Sequence, residues 1–211
     1  TYGSGKVNKL EYAKFLAASL AYVVLKQRDS VGLSVFDSEV RAYMPPRSSM
    51  GIILEIDRLL REIKPTPRTS IARQLHDIAL MMKRRSFVIL ISDLFSDVDD
   101  ILAGLDHLRH DGHNVVVLHT LDPHEIEFPF SGTMLFEGLE GEEPLTTQPE
   151  RIRADYLASF NEYLETLKAG CVASQVDYST VDTSRPLDAV LSEFFHLRES
   201  TLNGGSVTAR P

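Results

Sequence analysis

Phe87-Val88-Ile89-Leu90-Ile91-Ser92-Asp93 decides the fold class. Five consecutive apolar residues, three of them β-branched, run from Phe87 to Ile91 and end at a serine and an aspartate. A half-solvated strand would alternate; an unbroken run reads as a strand covered on both faces, as in parallel sheets. Upstream, Ser70 to Arg84 places Ile71, Leu75, Ile78, Ala79 and Met82 on one helical face. Downstream, Asp97 to His110 reads as a helix, acidic in its first turn and carrying His and Arg in its last, as the macrodipole prefers. Gly112 stops it. Val115 to Leu118 is a second buried strand. Strand and helix alternate, which implies a doubly wound, mostly parallel α/β sheet with right-handed crossovers.

The flanking sequence fits that frame. Leu10 to Gln27 is helical and, from Phe15 onward, apolar on nearly every face, which predicts a mostly buried helix. Val31 to Asp37 reads as a strand, and Val40 to Met44 as a second. The Ser38-Glu39 turn is too short for anything but an antiparallel pair, giving one antiparallel edge strand. Pro45-Pro46 is expected to end it. Ser49 to Ile63 is an amphipathic helix. Pro149 to Ala173 is a long helix, Val176 to Val181 a last strand of mixed pattern, and Pro186 to Phe195 a closing helix. Residues 1–200 are read as one domain and 201–211 as a disordered tail, Asn203 onward being its clearest part. One segment, 125–148, breaks the alternation. It reads as an inserted hairpin from Thr133–Leu139 and Pro144–Thr147, with Glu137, Glu140, Glu142 and Glu143 making it an acidic projection.

Composition narrows the function classes. The 211 residues include 22 Lys and Arg against 30 Asp and Glu, a formal charge of −8. That balance argues against bulk nucleic-acid binding. Cys171 is the one cysteine, so an internal disulfide and a Cys-rich zinc site are excluded, and a reducing, cytoplasmic setting fits. The longest apolar stretch, Phe15 to Leu25, is far shorter than the ~20 residues a bilayer needs. No signal-peptide pattern is present, so no membrane is expected. Thr1 opens inside a polar, glycine-rich loop, which reads as a cut or processed start.

Four strands end in aspartate: Asp37, Asp93, Asp122 and Asp182. Ligand sites in open α/β sheets lie beyond the carboxyl ends of strands, yet aspartate is also common there as a cap or turn residue. Asp93 stands out because its strand is expected to be the most buried. The second feature is Arg68-Thr69-Ser70-Ile71, where Thr69 or Ser70 is an N-cap. A Thr69 hydroxyl facing the Asp93 carboxylate is hard-oxygen chemistry, suited to Mg²⁺ or Mn²⁺. Other signals carry less. Gly3-Ser4-Gly5-Lys6 lacks the rest of a phosphate loop. His107, His110 and His113 straddle the Gly112 stop and read as a solvated helix end. His119 reads as a packed histidine, and Cys171 as a small buried apolar residue.

Tyr2-Gly3-Ser4-Gly5, Lys9-Leu10-Glu11-Tyr12-Ala13, Asp29-Ser30-Val31-Gly32-Leu33, Arg68-Thr69-Ser70-Ile71, Val88 through Leu94 and Leu121-Asp122-Pro123 together resemble the bacterial domain of unknown function 58 family. That family resembles von Willebrand factor type A domains. The match runs from about Thr1 to Leu197. The resemblance implies strand order 3-2-1-4-5-6 and a metal-ion-dependent adhesion site built from an Asp-x-Ser-x-Ser loop, a Thr and an Asp. Thr69 and Asp93 match the second and third elements. The first strand and its Asp-x-Ser-x-Ser motif are expected immediately before Thr1 and are missing from this chain. The Val31 and Phe87 strands would then expose edges that invite a borrowed strand or self-association.

The resulting expectation is a non-catalytic protein-interaction module, partnered by a MoxR-type AAA+ ATPase and a client protein. It would use Mg²⁺ or Mn²⁺ when complete, and this chain alone would hold no ion tightly. The alternative is a metal-dependent hydrolase or phosphotransferase using Asp93 with Asp122 or Asp37, which requires two carboxylates converging on one ion.

Overall fold

A computed structural model describes residues 2–63, 71–136 and 145–203. α1 (Lys9–Lys26) begins at Asn8, whose side chain accepts from the Glu11 amide. β1 (Val31–Phe36) and β2 (Val40–Arg47) follow, then α2 (Ile52–Glu62), α3 (Ile71–Met81), β3 (Phe87–Ser92), α4 (Val98–His110) and β4 (Asn114–Leu121). The chain continues through α5 (Pro123–Glu127), β5 (Met134–Phe136), β6 (Leu145–Thr147), α6 (Pro149–Ala173), β7 (Asp177–Asp182) and α7 (Leu187–Asn203).

The expected single sheet is two sheets. β3, β4 and β7 are parallel, with β4 in the middle; β1 and β2 form a separate antiparallel pair. Alternation still gives the two sheets common layers. Val31 and Leu33 of β1 pack with Ala21 and Leu25 of α1 and with α2. Phe87, Ile89 and Ile91 of β3 pack with Leu16 and Leu20 of the same helix and with α7. On the opposite side, Val88 and Leu90 meet α3, α4 and α6, and Phe36 of β1 joins that cluster. Side chains two apart share a face, so α1 lies across one side of both sheets.

Several expectations are corrected. β3 is not the most buried strand: Leu90 alone is fully buried, whereas β4 buries every residue from Val115 to Leu121. Both faces of β3 are covered, but over residues 88–92 the edge away from β4 has no strand partner among the described residues. β2 does not stop at Pro45-Pro46. It runs on to Arg47, opposite Val31, across a register shift. An edge strand tolerates prolines because an N–H turned outward has no ladder bond to lose. Gly32 permits that close approach, since a Cβ there would lie 2.8 Å from the Met44 carbonyl oxygen.

α1 is not buried all round: Phe15 and Tyr22 face solvent. α7 continues past Phe195 to Asn203, into the expected tail, whose residues 204–211 lie outside the described ones. β5 and β6 are antiparallel, as a hairpin requires. Glu137, Glu140, Glu142 and Glu143 fall outside the described residues, and Glu125–Glu127 belong to α5 instead of the hairpin.

Candidate functional site

The carboxyl ends of β3 and β4 lie side by side, because Ser92 is in register with His119. Asp93 and Asp122 therefore leave neighbouring strands, but their carboxylates are treated differently. Asp122 is wholly buried. Its Oδ1 accepts from the Ser4 hydroxyl at 2.6 Å and from the His124 amide at 2.9 Å, and its Oδ2 from the Ser4 amide at 2.8 Å. Burial would raise its pKa, but these hydrogen bonds outweigh burial and hold it below the usual carboxylate value. Asp122 caps α5, and Glu125 closes a capping box by accepting from the Asp122 amide at 2.8 Å.

Asp93 is held by its backbone and leaves its carboxylate outside. His119 Nε2 donates to the Asp93 carbonyl at 2.9 Å. A carbonyl can only accept, so the proton is on Nε2, and Nδ1 accepts from the Tyr178 hydroxyl at 2.7 Å. Burial drives the His119 pKa down to about 4, so the ring is neutral at physiological pH. The next residue, Leu94, is buried in a left-handed conformation (φ 48°). Its amide donates to Ser92 Oγ at 3.1 Å and its carbonyl accepts from the Tyr163 hydroxyl. Burial pushes that phenol up to about 12, so it stays a donor. The Asp93 side chain keeps 48% of its exposure. Phe95, two residues on, is 76% exposed.

Among the described residues, Lys9 supplies a cation to this edge. Lys9, in the first turn of α1, has a side chain only 12% exposed. Its Nζ lies 2.6 Å from Glu125 Oε1 and 3.4 Å from Asp93 Oδ2. Asp122, Glu125, Lys9 and Asp93 thus form one chain of contacts. α6 fixes Glu125 from behind: the Tyr156 hydroxyl donates to the Glu125 carbonyl, and Arg153 donates to the carbonyls of Phe128 and Phe130.

The other expected residues divide cleanly. Asp37 accepts two hydrogen bonds from Arg41 and one from the Glu39 amide, a turn role. Asp182 accepts from the Ser184 amide just before α7. Thr69 and Ser70 lie outside the described residues, so the facing of Thr69 and Asp93 is not among the described contacts. Among the described residues, no group of three or more His, Cys, Asp and Glu is arranged to hold a metal ion. Of the pair Thr69 and Asp93, Asp93 alone is described, and the cation beside it is the Lys9 ammonium. The histidine trio disperses: His107 turns to His76, His110 is exposed, and His113 is buried, accepting from the Ser86 amide. Cys171 is buried and its thiol is pushed up to about 11, which keeps it protonated.

Lys9, Tyr163 and Glu125 were not singled out by sequence reasoning. Asp122-Pro123-His124-Glu125 did carry a legible signal, a cap residue followed by Pro at the first helical position and Glu at the third. Lys9 is 116 residues from Glu125, a distance no local pattern spans.

Comparison with known proteins places the chain. The model of the family described as "Protein of unknown function DUF58" matches residues 1–165. No curated protein matches. A crystal structure of the conserved hypothetical protein BatB from Bacteroides thetaiotaomicron is 17% identical, with a TM-score of 0.53, covering 92% of this chain and 91% of that one. An aerotolerance-related membrane protein from Bacteroides fragilis, solved with multiple mutations to serine, is also 17% identical, with a TM-score of 0.52 and coverage of 91% and 90%. At that identity both are likenesses of fold. Among the described residues of this chain, no helix is long and apolar enough to cross a membrane.

Proposed function

We propose, from the premise that the chain belongs to the DUF58 family, that it is a non-catalytic protein-interaction module whose docking edge carries Asp93 and Phe95. The observation that carries this reading is the way Asp93 is held. Three contacts immobilise its backbone turn and none buries its carboxylate. A rigid, half-exposed anion beside an exposed aromatic ring suits recognition of a partner, where an aromatic anchor and a placed charge carry most of the affinity. A hydrolase or phosphotransferase would need a second carboxylate on the same ion. Asp122 is committed to Ser4 and His124, and Asp37 to Arg41.

The family resemblance supplies the partner class, a MoxR-type AAA+ ATPase acting on a client protein, in the cytoplasm. A single cysteine with no second cysteine to bridge fits a reducing compartment. In this reading Mg²⁺ or Mn²⁺ would be held by Thr69 and Asp93 alongside an Asp-x-Ser-x-Ser element. Self-association through the β1 and β3 edges is a further part of the reading. It predicts dimers or larger species by light scattering, and a strictly monomeric protein would remove it.

The test is binding of the purified protein to a purified MoxR-type ATPase by surface plasmon resonance, with and without Mg²⁺. Asp93→Ala and Phe95→Ala should each weaken binding by roughly tenfold or more, while Asp182→Ala should not. Binding indifferent to Asp93 and Phe95 would overturn the docking edge. Binding indifferent to Mg²⁺ but dependent on Asp93 would remove the ion and keep the edge.

A further inference from the structure

Away from Asp93, two imidazole rings meet where α3 packs on α4. Gly104 sets the separation of those helices. A Cβ there would lie 2.9 Å from Leu75 Cδ1 and 3.1 Å from Ala72 Cα. The close approach brings His76, next to Leu75, against His107, one turn beyond Gly104. His76 Nδ1 lies 2.9 Å from His107 Nε2, with ring centroids 4.3 Å apart and planes inclined at 57°. Asp111 Oδ2, one turn further along, lies 3.8 Å from the same Nε2.

We propose that His76 and His107, with Asp111 beside them, bind a divalent transition-metal ion of the zinc and copper class and so pin α3 to α4. Imidazole nitrogens bound to zinc at about 2.0–2.1 Å in tetrahedral geometry stand roughly 3.4 Å apart. The two separations of 2.9 and 3.8 Å bracket that spacing. With the shared proton passed through solvent to the far ring nitrogen of the donor imidazole, and each ring turned by about 35° off the nitrogen-to-nitrogen axis, both lone pairs aim at one ion. His107 and Asp111 are about one-third exposed, so the side chains can turn and water can complete the coordination shell. Because no three such residues are preorganised around one point, the two imidazoles bind first and Asp111 is drawn in as third ligand. The resulting site is exchangeable, unlike a closed structural zinc site. Imidazole selects Zn²⁺, Cu²⁺ or Ni²⁺ and not Mg²⁺, so this chemistry is separate from anything at Asp93 and independent of the docking reading.

The experiment is calorimetric titration of the protein with Zn²⁺, thermal melts with and without Zn²⁺, and Cu²⁺ spin-resonance spectra. One ion per chain should bind, with two imidazole nitrogens on copper and a rise in Tm on adding zinc. His76→Ala and His107→Ala should each weaken binding roughly tenfold or more and abolish the Tm rise. Asp111→Asn should weaken binding severalfold, and His110→Ala should leave it unchanged. Melts in chelator establish that each variant is folded, and His76→Asn offers a second substitution if alanine disturbs the helix. Zinc binding unaltered by both histidine substitutions, or no binding at millimolar zinc, overturns the site.

Discussion

Asp93 and Asp122 end adjacent parallel strands, and they show how one position in a fold can serve two ends. At Asp122 the carboxylate is inside and the structure is built onto it: Ser4 from the N-terminal loop and His124 from α5 both donate to it. At Asp93 the backbone is inside, clamped by His119 and followed by a clamped Leu94, and the carboxylate is left out. A buried, fully hydrogen-bonded anion stabilises; a half-exposed anion on a rigid turn recognises. The neighbouring strands therefore separate holding from presenting, and Lys9 with Glu125 joins the two.

Removing the holding carboxylate should produce the largest effect. Asp122→Ala leaves the Ser4 hydroxyl and amide and the His124 amide without their acceptor and uncaps α5. The expected loss is about 3 kcal/mol, within the range for buried charged hydrogen bonds and a lost cap. Urea denaturation monitored by circular dichroism measures it. Asp122→Asn retains an acceptor and should recover part of the loss. A loss below about 1 kcal/mol would mean that the N-terminal loop is not anchored there.

Acid should strike next, through the clamp behind Asp93. The folded-state pKa of His119 is about 4 against an ordinary 6.5. Between those values the unfolded chain binds the extra proton, so stability falls as pH drops from about 6.5 to about 4 and is fully present above that window. The ceiling on this contribution is about 3 kcal/mol at 1.36 kcal/mol per pKa unit. His113, lowered by burial, adds to the same slope. Asp122 acts at lower pH, its depressed pKa protecting stability until the carboxyl protonates below its usual range. His119→Gln, able to donate to the Asp93 carbonyl, should flatten much of the slope in denaturation series across that range. An unchanged slope would mean that His119 is not the residue that titrates.

Much of this architecture was readable from periodicity, and what escaped shares one cause. Faces are local: Ile71, Leu75 and Ile78 recur at helical spacing, and Phe87 to Ile91 is apolar on both sides, so α3 and β3 were legible. Edges are not local. The same five residues read alike whether a strand lies on both edges or one, so periodicity alone did not show the partial burial of β3; the open edges of the Val31 and Phe87 strands were expected only from the family resemblance and its missing first strand. The prolines of β2 misled for the same reason, since their cost depends on which edge they occupy. At the site, the place of Asp93 was not legible, since β3 is an outer strand of the three-stranded sheet and β4 holds the middle. Asp93 was legible as a strand-end carboxylate. Its clamps were not, because His119, Tyr163 and Lys9 reach it across 26 residues or more and no spacing pattern announces them.

The smallest effect belongs to Asp93 itself. Its ion pair with Lys9 is half-exposed, and Lys9 keeps Glu125 as a closer partner. Asp93→Ala should therefore change stability by no more than about 0.5 kcal/mol while costing partner binding. Lys9→Met sharpens the contrast from the other side. It removes the ammonium while keeping the buried stem, so any Mg²⁺ affinity at Asp93 should rise severalfold in calorimetric titration, since one cation no longer competes with another. Should Asp93→Ala instead destabilise the fold as Asp122→Ala does, the two aspartates would both be holding groups and Asp93 would have nothing left to present.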